Sequence, residues 1–206
     1  MFIAVTMARA GSKRLPGKNT KPLCQKPLCV YTFDLMRESD QLKECYSFSD
    51  DPVFTSIADI HHISTKYHRP DAVSGDSCSS DDTLANFVSQ YLKSNKSVKL
   101  SDTHIVLLQP TSPLRNIGHL NKALNMYEKV RPDCLVSGYI RDNKFHRNGA
   151  IYIISLARFK KSKEITPGQP LEFIMLEEES VDIDTHDDFT LAETILLGIE
   201  NGTSNC

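Results

Sequence analysis

The sequence predicts a single α/β domain with a mostly parallel central sheet, and three observations carry that expectation. Short apolar or β-branched runs recur along the chain, stretches of helical periodicity separate them, and 206 residues suffice for one sizeable core but not for two of ordinary size.

The elements follow in order. Phe2–Met7 is the opening strand, and residues 8–26 form the loop after it. Pro27 can start a helix whose Leu28, Tyr31 and Leu35 share one face. Cys45–Ser49 reads as a strand, and Asp50-Asp51-Pro52 as an acid-capped helix start; Ile60–Ser64 is a further strand candidate. The clearest helix follows Ser79-Ser80-Asp81-Asp82, because Leu84, Phe87, Val88, Tyr91 and Leu92 recur at helical spacing behind a serine cap. His104–Leu108 reads as a buried central strand running into the rigid turn Gln109-Pro110-Thr111-Ser112-Pro113, with a helix from about Ile117 after it. Cys134–Ile140, Ala150–Ile154 and Phe173–Leu176 complete the strand candidates. Phe189, Ala192, Ile195, Leu196 and Ile199 mark a last helix, and Asn201–Cys206 reads as a frayed tail.

Composition narrows the function. Hydrophobic residues at 40% and charged residues at 24% suit a soluble globular protein, and no apolar run is long enough for a membrane helix. The start lacks a secretory pattern, and the six cysteines are scattered without paired spacing, so reduced thiols in a cytoplasm are expected rather than a disulfide framework or a zinc site. A net charge of −2 offers no global attraction for nucleic acid or an anionic membrane. The charge is nevertheless uneven: residues 1–33 hold Arg9, Lys13, Arg14, Lys18, Lys21 and Lys26 and no acid. Such a run is ordinarily a solvated face, but interleaved glycines and prolines point here to a built loop.

In an open α/β sheet, ligands bind beyond the carboxyl ends of the strands, which places the loop Ala8–Thr20 where a site is expected. Gly11 and Gly17 allow tight turns that present N–H groups, and Arg9, Lys13, Arg14 and Lys18 supply charge suited to a polyphosphate. A Walker loop is excluded, because five residues separate Gly11 from Gly17 and Asn19 follows Lys18. Near the other end, Asp182-Ile183-Asp184 places two carboxylates on one face at strand-like period two, where both can reach one cation.

The run Ala8-Arg9-Ala10-Gly11-Ser12-Lys13-Arg14-Leu15-Pro16-Gly17-Lys18-Asn19 resembles the signature loop of the acylneuraminate (CMP-sialic acid) cytidylyltransferase family. Further segments are similar to that family: Arg69-Pro70 with Asp76-Ser77-Cys78-Ser79-Ser80, Leu107 to Arg115, Asn148-Gly149-Ala150-Ile151-Tyr152, and Ser180 to Asp184 followed by Asp187-Asp188-Phe189. The resemblance implies a three-layer α/β/α fold of the nucleotide-diphospho-sugar transferase (Rossmann-like) kind, spanning residues 1–206. It implies transfer of CMP from CTP to a sialic-acid-like 2-keto sugar acid with release of pyrophosphate. Ala8, Arg9, Gly11, Ser12, Lys13, Lys18 and Asn19 are then expected around the CTP phosphates, with Arg9 and Lys18 catalytic, and Arg69, Cys78 and Ser80 around the cytosine. Gln109 and Asn148 are expected at the substrate, and Asp182 and Asp184 at Mg²⁺.

Each expectation has a plainer competitor: Ser79 or Ser80 as a helix cap, Thr111 and Ser112 as turn residues, and Asp187 and Asp188 as favourable charges at a helix start. The family also carries a dimerisation insertion before the Asn-Gly-Ala strand, whereas Val136–Arg147 is short here, so the oligomeric state and the groups that read the sugar carboxylate stay open. The alternatives are a cytidylyltransferase for 3-deoxy-manno-octulosonate or another sugar, and a nucleotide-binding protein without catalysis.

Overall fold

The computed structural model describes the backbone of residues 1–203 and the side chains of residues 1–199. Strand β1 (Phe2–Ala8) leads into the long loop, which contains a 3₁₀ turn at Lys18–Thr20 and a minimal hairpin of β2 (Pro22–Leu23) and β3 (Lys26–Pro27). Then come α1 (Leu28–Glu38), β4 (Leu42–Ser49), α2 (Pro52–Ile60), α3 (Ser80–Ser94), β5 (His104–Leu108) and α4 (Ile117–Val130). The chain continues through β6 (Cys134–Arg141), β7 (Lys144–Ser155), α5 (Leu156–Ser162), β8 (Leu171–Ile174) and α6 (His186–Thr203).

Six strands form one sheet in the order β4-β1-β5-β7-β6-β8. The β1 strand runs parallel to β4 and β5, β6 runs parallel to β8, and β7 alone is reversed. Strand periodicity sorts the side chains onto two faces. Phe2, Ala4, Val106 and Leu108 pack with Phe33 of α1, Phe54 of α2, and Leu120 and Tyr127 of α4. Ile3, Val5, Ile105 and Leu107 face the other way, onto Phe87 and Tyr91 of α3 and Phe159 of α5. Both faces of the sheet are thus covered, giving three layers, as near-continuous apolar strands require.

A third, smaller core decides where the site forms. Leu15 of the cationic loop, Leu23, Leu28, Ile183 of the acidic segment, and Phe189 and Ala192 of α6 bury one another. These residues are far apart in sequence, and their burial draws the loop and the acidic segment to one end of the sheet.

Local details differ from the expectations for identifiable reasons. Ile60–Ser64 is not a strand: α2 ends at Ile60, His62 adopts φ 57°, and only Ser64 bridges to Tyr46. The last sheet strand is Leu171–Ile174 rather than Phe173–Leu176. Helix α5 spans only 7 residues, about two turns, too short for the buried Leu156 and Phe159 to set a helical period in the sequence. The β7 strand begins at Lys144 and not Ala150, because Asp142 (φ 51°) and Asn143 (φ 57°) close a two-residue hairpin with β6. Asp182-Ile183-Asp184 lies in irregular chain rather than a strand, yet Ile183 is buried while both aspartates border the cleft described below. Of the expected frayed tail, residues 201–203 continue α6, and residues 204–206 lie outside the described residues. No helix among the described residues is long and apolar enough to cross a membrane.

Candidate active site

Three elements deliver their C-terminal ends to one cleft of about 560 Å³. After β1 comes the cationic loop, after β5 the turn at Gln109, and from the region following β4 comes the segment around residues 69–80. The cleft is bordered by Ala8, Arg9, Ser12, Lys13, Arg14, Lys18 and Asn19, by Arg69, Asp76, Cys78 and Ser80, by Gln109 and Thr111, and by Asp182 and Asp184. Gly17 at φ 65° gives the loop its reversal, and the Ala10 N–H donates to Asp50 Oδ1 at 3.1 Å, which ties the loop to the end of β4.

The cations of the loop are already engaged by two carboxylates. Lys18 Nζ donates to Asp184 Oδ1 and to the Ile183 carbonyl, each at 2.7 Å, and Arg14 reaches Asp184 Oδ2 at 2.6 Å. Across the cleft, Asp76 takes Arg9 on one oxygen and Lys13 on the other, both at 2.5 Å. Hydrogen bonds from Lys13 and Arg9 hold the Asp76 carboxyl below the usual carboxylate range.

Asp182 is in a different electrostatic position. Burial raises its pKa, only partly offset by a hydrogen bond from Thr111, and its Oδ1 is buried with no hydrogen-bond partner. An unpartnered carboxylate oxygen at the wall of a cationic cleft, beside a second carboxylate, is an oxygen donor set suited to a hard divalent cation. The residues present therefore fit magnesium. No group of three His, Cys, Asp or Glu side chains that could hold a metal occurs among the described residues, so two protein carboxylates are the donors available, as is common where substrate phosphates complete a magnesium shell.

The acidic segment is anchored on both sides. The Ile183 N–H donates to the Thr111 carbonyl at 2.8 Å, which fixes the segment to the turn after β5. Asp188, in the first turn of α6, accepts from the Asp184 and Thr185 N–H groups at 3.0 and 2.7 Å, and Thr185 Oγ1 accepts from the Asp188 N–H at 3.3 Å, a reciprocal pair with Thr185 at the cap. Ser79 likewise caps α3 by accepting from the Asp82 N–H at 3.0 Å, leaving its neighbour Ser80 at the cleft.

Two expected site residues are placed elsewhere. Gly11 is exposed and outside the lining, and a Cβ there would meet nothing within 4 Å, so glycine is demanded at Gly17 instead. Asn148 is 3% exposed and does not border the cleft. Its amide donates to Ser180 Oγ at 2.9 Å, and its oxygen accepts from Ser137 Oγ at 2.6 Å and from the Ala150 N–H at 3.1 Å. Satisfying those buried groups makes it a strut between β6, β7 and the start of the acidic segment. Arg69 borders the cleft, but its guanidinium donates to the Val73 and Ala8 carbonyls, which clamps the 69–73 turn onto the end of β1.

Three participants lie outside the expected site residues: Asp76, Arg14 and Gly149. Gly149 has φ 73°, and a Cβ on it would lie 2.8 Å from Gln109 Oε1 and 3.3 Å from Asp182 Oδ2. The glycine inside a strand-like run was the available signal for such a close approach.

An open, mostly parallel sheet that gathers cations and three carboxylates in one cleft beyond its strand ends defines a Rossmann-like α/β protein with a densely charged site. The chain belongs to the cytidylyltransferase family: the family model of that description matches residues 3–150. It is 28% identical to the N-acylneuraminate cytidylyltransferase of Escherichia coli, across 94% of this chain and 52% of that protein. It is 27% identical to the CMP-N,N'-diacetyllegionaminic acid synthase of Legionella pneumophila, across 95% of this chain and 96% of that one. The chain spans about half the length of the N-acylneuraminate relatives it matches, in Escherichia coli and in Streptococcus agalactiae. Among solved structures, a CMP:2-keto-3-deoxy-manno-octonic acid synthetase complexed with CTP superposes with a TM-score of 0.68 at 12% identity, covering 96% of this chain and 98% of that one. At that identity, the likeness establishes the three-layer fold.

Proposed function

We propose that this protein transfers CMP from CTP to a sialic-acid-like 2-keto sugar acid and releases pyrophosphate. The observation that carries the reading is the single cleft in which the cationic loop faces Asp182 and Asp184, with Cys78, Ser80 and Gln109 on its walls. The names of the relatives, N-acylneuraminate cytidylyltransferase and CMP-N,N'-diacetyllegionaminic acid synthase, supply the acceptor class.

In this reading the backbone of Ala8 and the side chains of Ser12, Lys13 and Asn19 bind the triphosphate. Arg9 and Lys18 neutralise charge developing on the α-phosphate and the departing pyrophosphate, which is the main contribution a protein makes to phosphoryl-type transfer. The acceptor hydroxyl attacks in line with the leaving pyrophosphate. Cys78 and Ser80 offer polar atoms to the cytosine edge, and Arg69 keeps that wall in place through its carbonyl contacts. Gln109, held against Gly149, is directed at the sugar or ribose. Mg²⁺, when bound by Asp182 and Asp184, would supply further neutralisation of the triphosphate.

The test is incubation with CTP, MgCl₂ and a panel of nonulosonic acids, alongside 3-deoxy-manno-octulosonate, with pyrophosphate release as the readout. Turnover with a nonulosonic acid is expected. Turnover with 3-deoxy-manno-octulosonate alone reassigns the acceptor, and CTP binding without turnover on any acceptor removes catalysis from the reading.

A further inference from the structure

The four cations of the loop are paired off by two carboxylates from different parts of the chain. Asp184 belongs to the acidic pair and takes Arg14 and Lys18. Asp76 has no such assignment. It lies between the 3₁₀ turn Asp71–Val73 and the start of α3, on the wall that carries Cys78 and Ser80, and it borders the same cleft. Its two oxygens are divided between Arg9 and Lys13, one each at 2.5 Å. An oxygen-rich anion held bidentately by two loop cations is the geometry a phosphate takes in such a cradle.

We infer that Asp76 is an internal competitor for the phosphate subsite: its carboxylate stands in for a phosphate on Arg9 and Lys13 and must be released when a polyphosphate enters. The inference rests on the reading of this cleft as a CTP site and adds a residue that sets its affinity. One physical consequence concerns the wall of the cleft. Asp76 is two residues from Cys78, so its ion pairs tether that wall to the loop while the cradle holds no phosphate. Release of Asp76 frees residues 74–78 to settle on a base. Phosphate entry and closure of the wall are therefore coupled through one side chain. The depressed pKa of the Asp76 carboxyl agrees with an anion that stays charged, and so competes, throughout the neutral range.

A competitor and a positioning residue make opposite predictions on removal of its charge. With inorganic pyrophosphate as the probe, in metal-free buffer and at low salt, Asp76→Asn should bind it roughly three- to tenfold more tightly than the parent, because two exposed ion pairs no longer have to be exchanged. Raising the ionic strength should shrink that gain, since both pairs are solvent-accessible. Asp76→Glu, which keeps the charge, should stay near the parent. In hydrogen exchange, pyrophosphate should speed exchange of the amides at residues 74–78 in the parent and leave the Asn variant unchanged. Equal or weaker pyrophosphate binding by Asp76→Asn, with a parent that binds CTP, overturns the inference and leaves the site reading intact. A parent that binds neither pyrophosphate nor CTP removes the site reading and this inference with it.

Discussion

At the residue scale, the cleft depends on a few groups whose neighbours determine what they can do. Asp184 is central among them, since it faces Lys18 and Arg14 and sits two residues from the half-buried Asp182. Replacing it by Asn removes charge but little volume, so Asp184→Asn should lower pyrophosphate release by about 100-fold or more. The melting temperature should move by no more than a few degrees, and full retained activity in the same assay would refute its metal role. Gly149 is constrained differently. Its φ of 73° and the 2.8 Å approach of Gln109 Oε1 to a notional Cβ mean that Gly149→Ala both strains the backbone and pushes Gln109 aside. The expected cost is about 1–2 kcal/mol in chemical denaturation, together with reduced turnover. A variant with parental stability and turnover would show that the close approach does not matter.

At the scale of elements, helices on both faces of the sheet are held by caps and by aromatic packing. The N-terminus of α4 is closed by a reciprocal pair: Asn116 accepts from the His119 N–H at 3.0 Å, and the Asn116 N–H donates to His119 Nδ1 at 3.2 Å. Asn116→Ala should cost about 1 kcal/mol, read from the midpoint of a urea titration at unchanged slope. On the opposite face, α3 is seated by rings. Phe87 has no exposed surface and touches Tyr46, Phe48, Tyr67 and Tyr91. Truncating Phe87 to Ala leaves a cavity among four aromatic rings, so a loss of about 3–5 kcal/mol is expected, enough to threaten folding of a domain of ordinary stability. The α3 helix also begins at Ser80, so the same change should weaken nucleotide binding in whatever fraction remains folded.

For the whole molecule, one buried histidine links stability to pH. His104 at the start of β5 is 3% exposed, its Nδ1 lies 3.1 Å from the Tyr127 hydroxyl, and Arg131 donates to its Nε2 at 3.3 Å. An arginine can only donate, so Nε2 must offer a lone pair and the ring is neutral. Burial, together with the nearby N-terminal ammonium and Arg131, pushes its pKa down to about 4. Between pH about 6.5 and about 4 the unfolded chain binds a proton there that the folded chain does not. Stability is therefore fully present above the unfolded value and is lost as the pH falls toward 4, by on the order of 3 kcal/mol. Denaturation midpoints across that window should fall less steeply in His104→Asn than in the parent, and identical slopes would exclude this origin.

Much of this architecture could be read in the chain before its fold was known. Short continuous apolar runs locate β1 and β5, and helical faces at period 3.6 locate α1, α3 and α4, because those patterns are local. The twelve-residue cationic loop could be recognised because its glycine, charges and spacing lie in one stretch. Other features were hidden for a reason that is also physical. A two-residue turn of non-glycine residues at Asp142 and Asn143, the reversal of β7, and the seating of Asn148 depend on partners that local sequence does not contain. Asp76 and Arg14 gain their roles only from what stands opposite them.

The sequence by itself determined most of the strands and helices, and which short stretches carry the clustered cations and the paired carboxylates. Only the tertiary structure decided that these stretches share a cleft, because the meeting of Leu15 with Ile183 and Phe189 is a packing event between residues more than 160 positions apart. The same packing settled which polar groups face the cleft and which, like Asn148, are spent on buried hydrogen bonds, since satisfaction of a buried group depends on every element that closes over it.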